Sequence, residues 1–82
     1  MRSYMQIPPD GDKAPRYYPL HLQDDLREGW TLSREWGYQG ASGRVKREHF
    51  ADHEAAESAL LKIRDEQIQR GYRVVFMQAQ PQ

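Results

Sequence analysis

Residues 30–50 read WTLSREWGYQGASGRVKREHF and contain two segments separated by a glycine-rich bend. From residue 30 to residue 36, bulky side chains alternate with small or polar ones, which is the two-residue period of a β-strand. Glycine then occupies every third position of residues 37–43, and this spacing favours a tight bend. Residues 43–50 carry few apolar side chains, so they predict a second strand with one face in water.

The segment before this stretch predicts a strand that pairs with it. Within residues 16–22, apolar and polar side chains alternate, again at strand spacing. Pro19 has no amide hydrogen to donate, so this strand lies at an edge of the sheet or pairs on one side only at that position. Residues 24–29 are polar and end in glycine, and they predict the turn of an antiparallel hairpin between the two strands.

A helix and a final strand are expected after residue 50. Asp52 is a suitable N-cap, and Gly71 is a suitable residue just beyond the C-terminus of the helix. Between them, apolar side chains recur at helical spacing at Ala56, Ala59, Leu60 and Ile63. Residues 72–77 are rich in β-branched and aromatic side chains, which favours a strand. The sequence therefore predicts an α+β fold of order β-β-β-α-β, a small antiparallel sheet with one helix packed on one face.

Length and composition predict one folded domain between two tails. The chain has 82 residues, of which 38% are hydrophobic, and this length suits one domain. Residues 1–15 contain three of the five prolines and no periodic pattern, so we expect a flexible N-terminal arm. Residues 16–77 are then the folded domain, and residues 78–82 are a frayed C-terminal tail.

Charge and composition exclude several classes of protein. Twelve basic and twelve acidic residues give a formal net charge of zero, which excludes a histone-like polycation. The chain has no cysteine, which excludes disulfides and thiolate metal sites and fits a reducing, cytoplasmic location. No apolar run approaches the length of a membrane span, so we expect no membrane partner.

The sequence contains no recognisable site for catalysis, a cofactor or a metal ion. No Ser or His stands in a nucleophile motif. The glycines of residues 37–43 lack the Lys-Ser/Thr of a phosphate-binding loop, and a turn explains them better, although a bare backbone loop also admits a phosphate. His49, His53 and Glu57 lack the spacing of a zinc-binding helix. We therefore expect a protein that is not an enzyme and that has no cofactor and no metal.

An ordered set of residues over most of the chain resembles the WGR domain. In this sequence the set consists of Trp36-Gly37-Tyr38-Gln39-Gly40, Gly43, Lys46, Phe50, Ala56 and Gly71-Tyr72. The family is named for a Trp-Gly-Arg tripeptide, and residues 17–22, YYPLHL, are similar to its opening strand. The resemblance implies a small antiparallel sheet with one helix, and the sequence looks like the short stand-alone bacterial members of the family.

The resemblance also implies binding to nucleic acid. In DNA-dependent poly(ADP-ribose) polymerases the domain binds DNA ends, with the Trp of the motif against a terminal sugar, and Trp36 has that stacking role by resemblance. The Arg of the motif is Tyr38 here, which offers a flat ring and one hydroxyl in place of a charged fork of donors. The Lys often found in the helix is Gln67. Two cations are thus absent from their family positions.

A basic cluster beside the motif completes the predicted site. Residues 34–47 contain four cations and one anion, a local net charge of +3. The predicted nucleic-acid-binding residues are Trp36, Gly37, Tyr38, Arg34, Arg44, Lys46 and Arg47, and the four cations are expected to share one face of the sheet. The cations would hold backbone phosphates while the aromatic rings pack on sugar or base. No base-reading element is evident, so we expect little sequence specificity, with DNA preferred to RNA.

Several alternatives remain open from the sequence alone. Trp36 suits a stacking surface and a core position equally, whereas Trp30 favours the core. The same face would also suit a protein partner, which is the alternative function. Leu61 and Ile68 form a second apolar edge of the helix, which fits packing against loops or the seam of a small dimer. Of these two we favour the first, and we expect a monomer.

Overall fold

The part of the chain that the computed structural model describes, residues 1–26 and 28–78, contains a five-stranded sheet and one helix. The elements are β1 (Arg2–Ile7), β2 (Arg16–Asp25), β3 (Gly29–Tyr38), β4 (Arg44–Phe50), α1 (His53–Gln69) and β5 (Arg73–Gln78). The order across the sheet is β4-β3-β2-β1-β5, and every neighbouring pair is antiparallel. These elements confirm the predicted α+β class and the antiparallel sheet with its helix.

The N-terminal residues form a strand of the sheet, so the prediction of a flexible arm is wrong for them. β1 lies between β2 and β5 and pairs with both, and the side chain of Met5 is completely buried. The element order is therefore β-β-β-β-α-β. The sequence pattern missed β1 because Ser3 and Met5 are its only fully buried residues, too few for a recognisable alternation.

The boundaries of the folded domain change accordingly. The expected domain of residues 16–77 is too short at both ends, because β1 begins at Arg2 and β5 ends at Gln78. The rest of the predicted tail, residues 79–82, lies outside the described residues.

The connection between β1 and β2 is held at two points. The amide of Lys13 donates to the carbonyl of Asp10 at 3.0 Å, which closes a turn within the connection. The carbonyl of Pro15 accepts a hydrogen bond from the amide of Gln39 at 2.8 Å. This second bond extends the β2–β3 pairing and ties the connection to the glycine-rich turn.

The two faces of the sheet differ in burial, because α1 packs over β2, β3 and β4 on one side. We call this side the helix face, and its core consists of Met5, Tyr18, Leu20, Leu22 and Leu32 packed with Ala56, Leu60 and Tyr72. We call the other side the open face, and β2 and β3 contribute Tyr17, Pro19, His21, Thr31, Ser33 and Glu35 to it. The apolar stripe predicted for the helix therefore does face the sheet.

Pro19 lies in an inner strand rather than at an edge. It is opposite Tyr4 of β1, but the pairing of β2 with β3 stops after Tyr17 and resumes at Leu20. Pro19 therefore pairs on one side only, which was the second of the two expectations. Because no ladder hydrogen bond to β3 forms at this position, the missing amide hydrogen costs nothing.

Both ends of α1 are capped as predicted. Asp52 precedes the first turn, and its Oδ1 accepts a hydrogen bond from the amide of Ala55 at 2.8 Å. Gly71 has a φ of 106°, and the amides of Gly71 and Tyr72 donate to carbonyls of the last helical turn. Glycine favours this conformation just beyond a helix. Among the described residues, no helix combines the length and the apolar character that a membrane crossing needs.

Ser3 places an unpaired hydroxyl in the core. The residue is 1% exposed, and its Oγ has no hydrogen-bond partner in the described chain. Because an unpaired buried polar group costs about 1–3 kcal/mol, we expect Ser3→Ala to raise the free energy of unfolding by about 1 kcal/mol in urea denaturation. Ser33→Ala on the open face is the control, with an expected change within about 0.5 kcal/mol. A Ser3→Ala variant less stable than the wild type would contradict this account.

Candidate functional site

The Trp-Gly-Tyr motif lies at the end of β3, where the chain turns towards β4. The carbonyl of Tyr38 accepts a hydrogen bond from the amide of Ala41 at 3.1 Å, and Gly40 has a φ of 86°. A positive φ at the third position of such a turn is the type II pattern, which glycine adopts without strain. The turn predicted from the glycine series is confirmed at this position.

The other two glycines of the series pack closely against Tyr17. A Cβ on Gly43 would overlap the Tyr17 hydroxyl and lie 2.9 Å from the carbonyl oxygen of Trp36. A Cβ on Gly37 would lie 3.2 Å from the same hydroxyl. Burial raises the pKa of Tyr17, and its hydrogen bond with Glu35 raises that pKa further. Because Gly37 and Gly43 have no side chains, the Tyr17 side chain packs directly against their backbone on the open face.

Gly43→Ala is expected to lower the free energy of unfolding by about 1–3 kcal/mol, because the added methyl group forces Tyr17 or the β3 backbone to move. Thermal denaturation of the variant measures this loss. The loss should be smaller when Tyr17→Phe is also present, since the overlapping hydroxyl is then gone. An equal loss in both backgrounds would show that the contact with Tyr17 is not the cause.

Trp36 takes part in the packing and also lines a groove. It is half-buried and packs against the core. Its indole lies nearly parallel to the Tyr18 ring, with centroids 5.7 Å apart and planes 16° apart, and the Arg34 guanidinium is 5.6 Å from its centroid. Trp30, on the same face of β3, packs against the core and against the ring of His53 at 4.4 Å. Trp30 therefore packs on the edge of the core and is not one of its fully buried members.

Arg16 is part of the site and was missed by the sequence analysis. It lies opposite Tyr38 in the β2–β3 pairing, and its guanidinium is 5.5 Å from the ring centroids of both Tyr38 and Tyr72. These distances are within the range of a cation–π contact. The signal was present in the sequence, because Arg16 precedes Tyr18 by two residues and therefore shares its face. Arg16 was left out of the predicted site because residue 16 was expected to be the first residue of the folded domain.

A groove of about 320 Å³ lies between these side chains and the C-terminal end of α1. Its lining consists of Arg16, Arg34, Arg70, Tyr18, Trp36, Tyr72, Glu66 and Gln67. We call this site the arginine groove. Gln67 is only 5% exposed and belongs to this lining. A side-chain amide can both donate to and accept from a ligand.

The three arginines of the groove outnumber the single carboxylate of its lining, Glu66. None of them forms an ion pair with a carboxylate of the described residues, where the ion pairs are His49–Asp25, His53–Glu57 and Arg64–Asp65. Arg34 instead donates to the Tyr18 hydroxyl at 3.4 Å. Burial raises the pKa of Tyr72, while the neighbouring Arg16 lowers it to a smaller extent. The groove thus presents positive charge beside neutral aromatic rings.

β4 adds two cations to the helix face and one to the open face. Lys46 lies opposite Arg34, and Arg44 lies two residues earlier on the same face. Arg47 lies opposite Ser33 and so belongs to the open face. The prediction that all four cations share one face is wrong for Arg47, because consecutive strand residues point to opposite sides of a sheet.

The histidines that the sequence analysis set aside have structural partners. Nδ1 of His49 lies 2.6 Å from Oδ2 of Asp25, and the hydroxyl of Thr31 donates to the same oxygen at 2.9 Å. These contacts join β4 to the β2–β3 hairpin. In residues 1–26 and 28–78 no three His, Asp or Glu side chains are placed to hold a metal ion.

Residues 1–78 match the family model of the WGR domain. The chain belongs to the WGR domain family, whose members are generally nucleic-acid-binding modules rather than catalytic domains. The match begins at residue 1 and so includes β1. No curated protein and no solved structure matches the chain.

Proposed function

We propose that this WGR domain binds nucleic acid in the arginine groove and along the adjoining cations of β4. DNA is the preferred ligand, sequence specificity is low, and the domain catalyses no reaction. The proposed site keeps six residues of the set predicted from the sequence and includes two further arginines that line the groove: Arg34, Trp36, Gly37, Tyr38, Arg44 and Lys46, with Arg16 and Arg70.

The position of Arg16 is the observation that carries this proposal. Tyr38 and Gln67 stand where the family motif has cations. Arg16 lies over the ring of Tyr38, and Arg70 lines the groove one helical turn after Gln67. Positive charge reaches the same groove from other positions in the chain, so the two substitutions do not remove the electrostatic basis of binding.

The chemistry of the groove suits a phosphate next to a sugar or base. Each guanidinium offers several donors in a planar fork that matches phosphate oxygens. Tyr38 is 49% exposed and presents a ring face on which a sugar or base can stack. Because phosphates and ring faces are the same in every sequence, these contacts carry affinity but little sequence information.

Paired variants on β4 test the proposal. We expect Lys46→Gln to weaken binding of a fluorescein-labelled DNA duplex and to reduce the slope of log K against log salt by about 0.9. Arg47→Gln is the matched control, because it removes a neighbouring exposed cation on the open face. Fluorescence anisotropy at several salt concentrations measures both, with a single strand and a matching RNA in parallel.

The outcomes of this titration distinguish the proposal from its alternative. If about four cations contact phosphates, binding of the wild type falls about 100-fold between about 50 mM and 200 mM salt. Equal effects of the two variants would place binding elsewhere on the surface. The absence of binding to DNA and RNA at low salt would contradict the proposal and favour an acidic protein partner on this face.

A further inference from the structure

β5 forms one edge of the sheet and exposes an apolar surface. All six of its residues are exposed, and the exposed fractions of Val74, Val75, Phe76 and Met77 lie between 37% and 61%. These four are half of the eight large exposed apolar residues in the described part of the chain. This clustering at one edge distinguishes them from scattered surface residues, which need no explanation.

β5 has the composition of an inner strand although it stands at the edge. Val74 and Met77 lie opposite Met5 and Ser3 and so belong to the helix face, whereas Phe76 lies opposite Tyr4 on the open face. Apolar residues on both faces are typical of strands that have neighbours and layers on every side. The helix covers β5 only in part, since it packs mainly over β2, β3 and β4 and reaches β5 through Arg64, whose Nη1 donates to Sδ of Met77 at 3.4 Å.

The opposite edge of the sheet is protected in a way that β5 is not. β4 reads RVKREHF and carries charged side chains at Arg44, Lys46, Arg47 and Glu48. Charges of this kind on an edge strand oppose pairing with another chain. β5 reads RVVFMQ, with a single charge at Arg73 and no proline. Its register with β1 shifts once, at Val75, which lies between the Val74–Met5 and Phe76–Tyr4 pairs. As the last strand of the sheet, β5 has outer amides and carbonyls that are open to a further strand on either side of this shift.

We propose that β5 pairs antiparallel with β5 of a second copy of this chain, which joins the two five-stranded sheets into one continuous sheet. The sequence alone predicts a monomer, whereas this proposal predicts a dimer. It rests on β5 alone and does not depend on the nucleic-acid proposal.

The distribution of charge favours a second copy as the occupant. In an antiparallel pair the two Arg73 side chains lie at opposite ends, about 17 Å apart along the strands at 3.4 Å per residue, so like charges do not meet. The two basic β4 edges then lie at the far ends of the joined sheet. Pairing of β5 with β4 would instead set Val75 and Phe76 against charged residues. A two-fold pair also closes on itself, which prevents open-ended growth.

Sedimentation velocity across micromolar to sub-millimolar concentrations, with the full chain and no nucleic acid, tests the dimer. We expect a monomer–dimer equilibrium in the wild type. Val75→Lys should weaken it about tenfold or more, because a lysine on the pairing edge opposes a second strand. Val45→Lys is the matched control, since Val45 is similarly exposed on the opposite edge strand. Circular dichroism confirms that both variants are folded.

Three results would overturn the proposal. The first is a monomer at every concentration. The second is a dimer that Val75→Lys leaves intact or that Val45→Lys weakens equally. The third is a mass that rises beyond the dimer, which would indicate open-ended association. Hydrogen exchange gives an independent measurement, because amides of β5 should exchange more slowly at high concentration than at low concentration.

Discussion

Leu60→Ala is expected to lower the free energy of unfolding by about 3 kcal/mol. Leu60 is fully buried at the centre of α1, where it packs on the apolar side chains of β2 and β3. Removing three carbon atoms from such a site loses their transfer free energy and leaves a cavity, and such changes cost about 2–5 kcal/mol. A domain of this size has a total stability of only about 5–15 kcal/mol. The melting temperature should therefore fall by about 12–24 °C.

Leu26→Ala is the matched control for this prediction. The chemical change is the same, but the side chain of Leu26 is fully exposed, so the expected change is within about 0.5 kcal/mol. Denaturation curves in urea, fitted with a common slope, measure both variants. Similar losses in the two variants would contradict the assignment of the core to the contact between α1 and the sheet.

The second large effect is expected at Trp36. Stacking of one base on an aromatic ring contributes about 1–3 kcal/mol, so Trp36→Leu should weaken binding of a short DNA duplex by about 5- to 150-fold. Leucine keeps part of the apolar contact with the core while it removes the indole that lines the arginine groove. Fluorescence anisotropy at low salt measures the affinity, and circular dichroism verifies the fold.

Trp30→Leu provides the comparison for Trp36→Leu. Both tryptophans are half-buried, lie on the helix face of β3 and pack against the core, but Trp30 lies beside His53 at the other end of α1. We expect Trp30→Leu to reduce stability and to leave affinity unchanged. If the two variants weaken binding equally, the loss reflects damage to the fold rather than contact with the ligand.

The elements that could be predicted from the sequence are those whose signals are local. The cap at Asp52, the glycine at position 71 and the apolar stripe between them define α1 within the chain itself. β2 and β3 likewise show the period of a strand, and β4 follows the glycine-rich bend as a polar segment. β1 could not be recognised, because its partners β2 and β5 are distant in sequence and its pattern is short and polar. Its burial is decided by tertiary contacts.

The candidate site likewise divides into residues that are close together in the sequence and residues that only the fold brings together. Trp36, Tyr38, Arg34, Arg44 and Lys46 belong to adjacent segments and were predicted together. Arg16 and Arg70 reach the groove from β2 and from the end of α1, so only the folded chain brings them there. Arg47 was included because the prediction counted charges along the chain. It did not consider that consecutive residues of a strand point to opposite faces of the sheet.

The most direct test of the proposed interface uses the two indole N–H signals in a ¹⁵N-labelled sample, since the chain has two tryptophans. A short DNA duplex is added at low salt. We expect the Nε1–H signal of Trp36 and the side-chain signals of Arg16, Arg34 and Arg70 to shift with added DNA, while the Nε1–H signal of Trp30 does not. Shifts at Trp30, or no shift at Trp36 while DNA is bound, would contradict binding in the arginine groove.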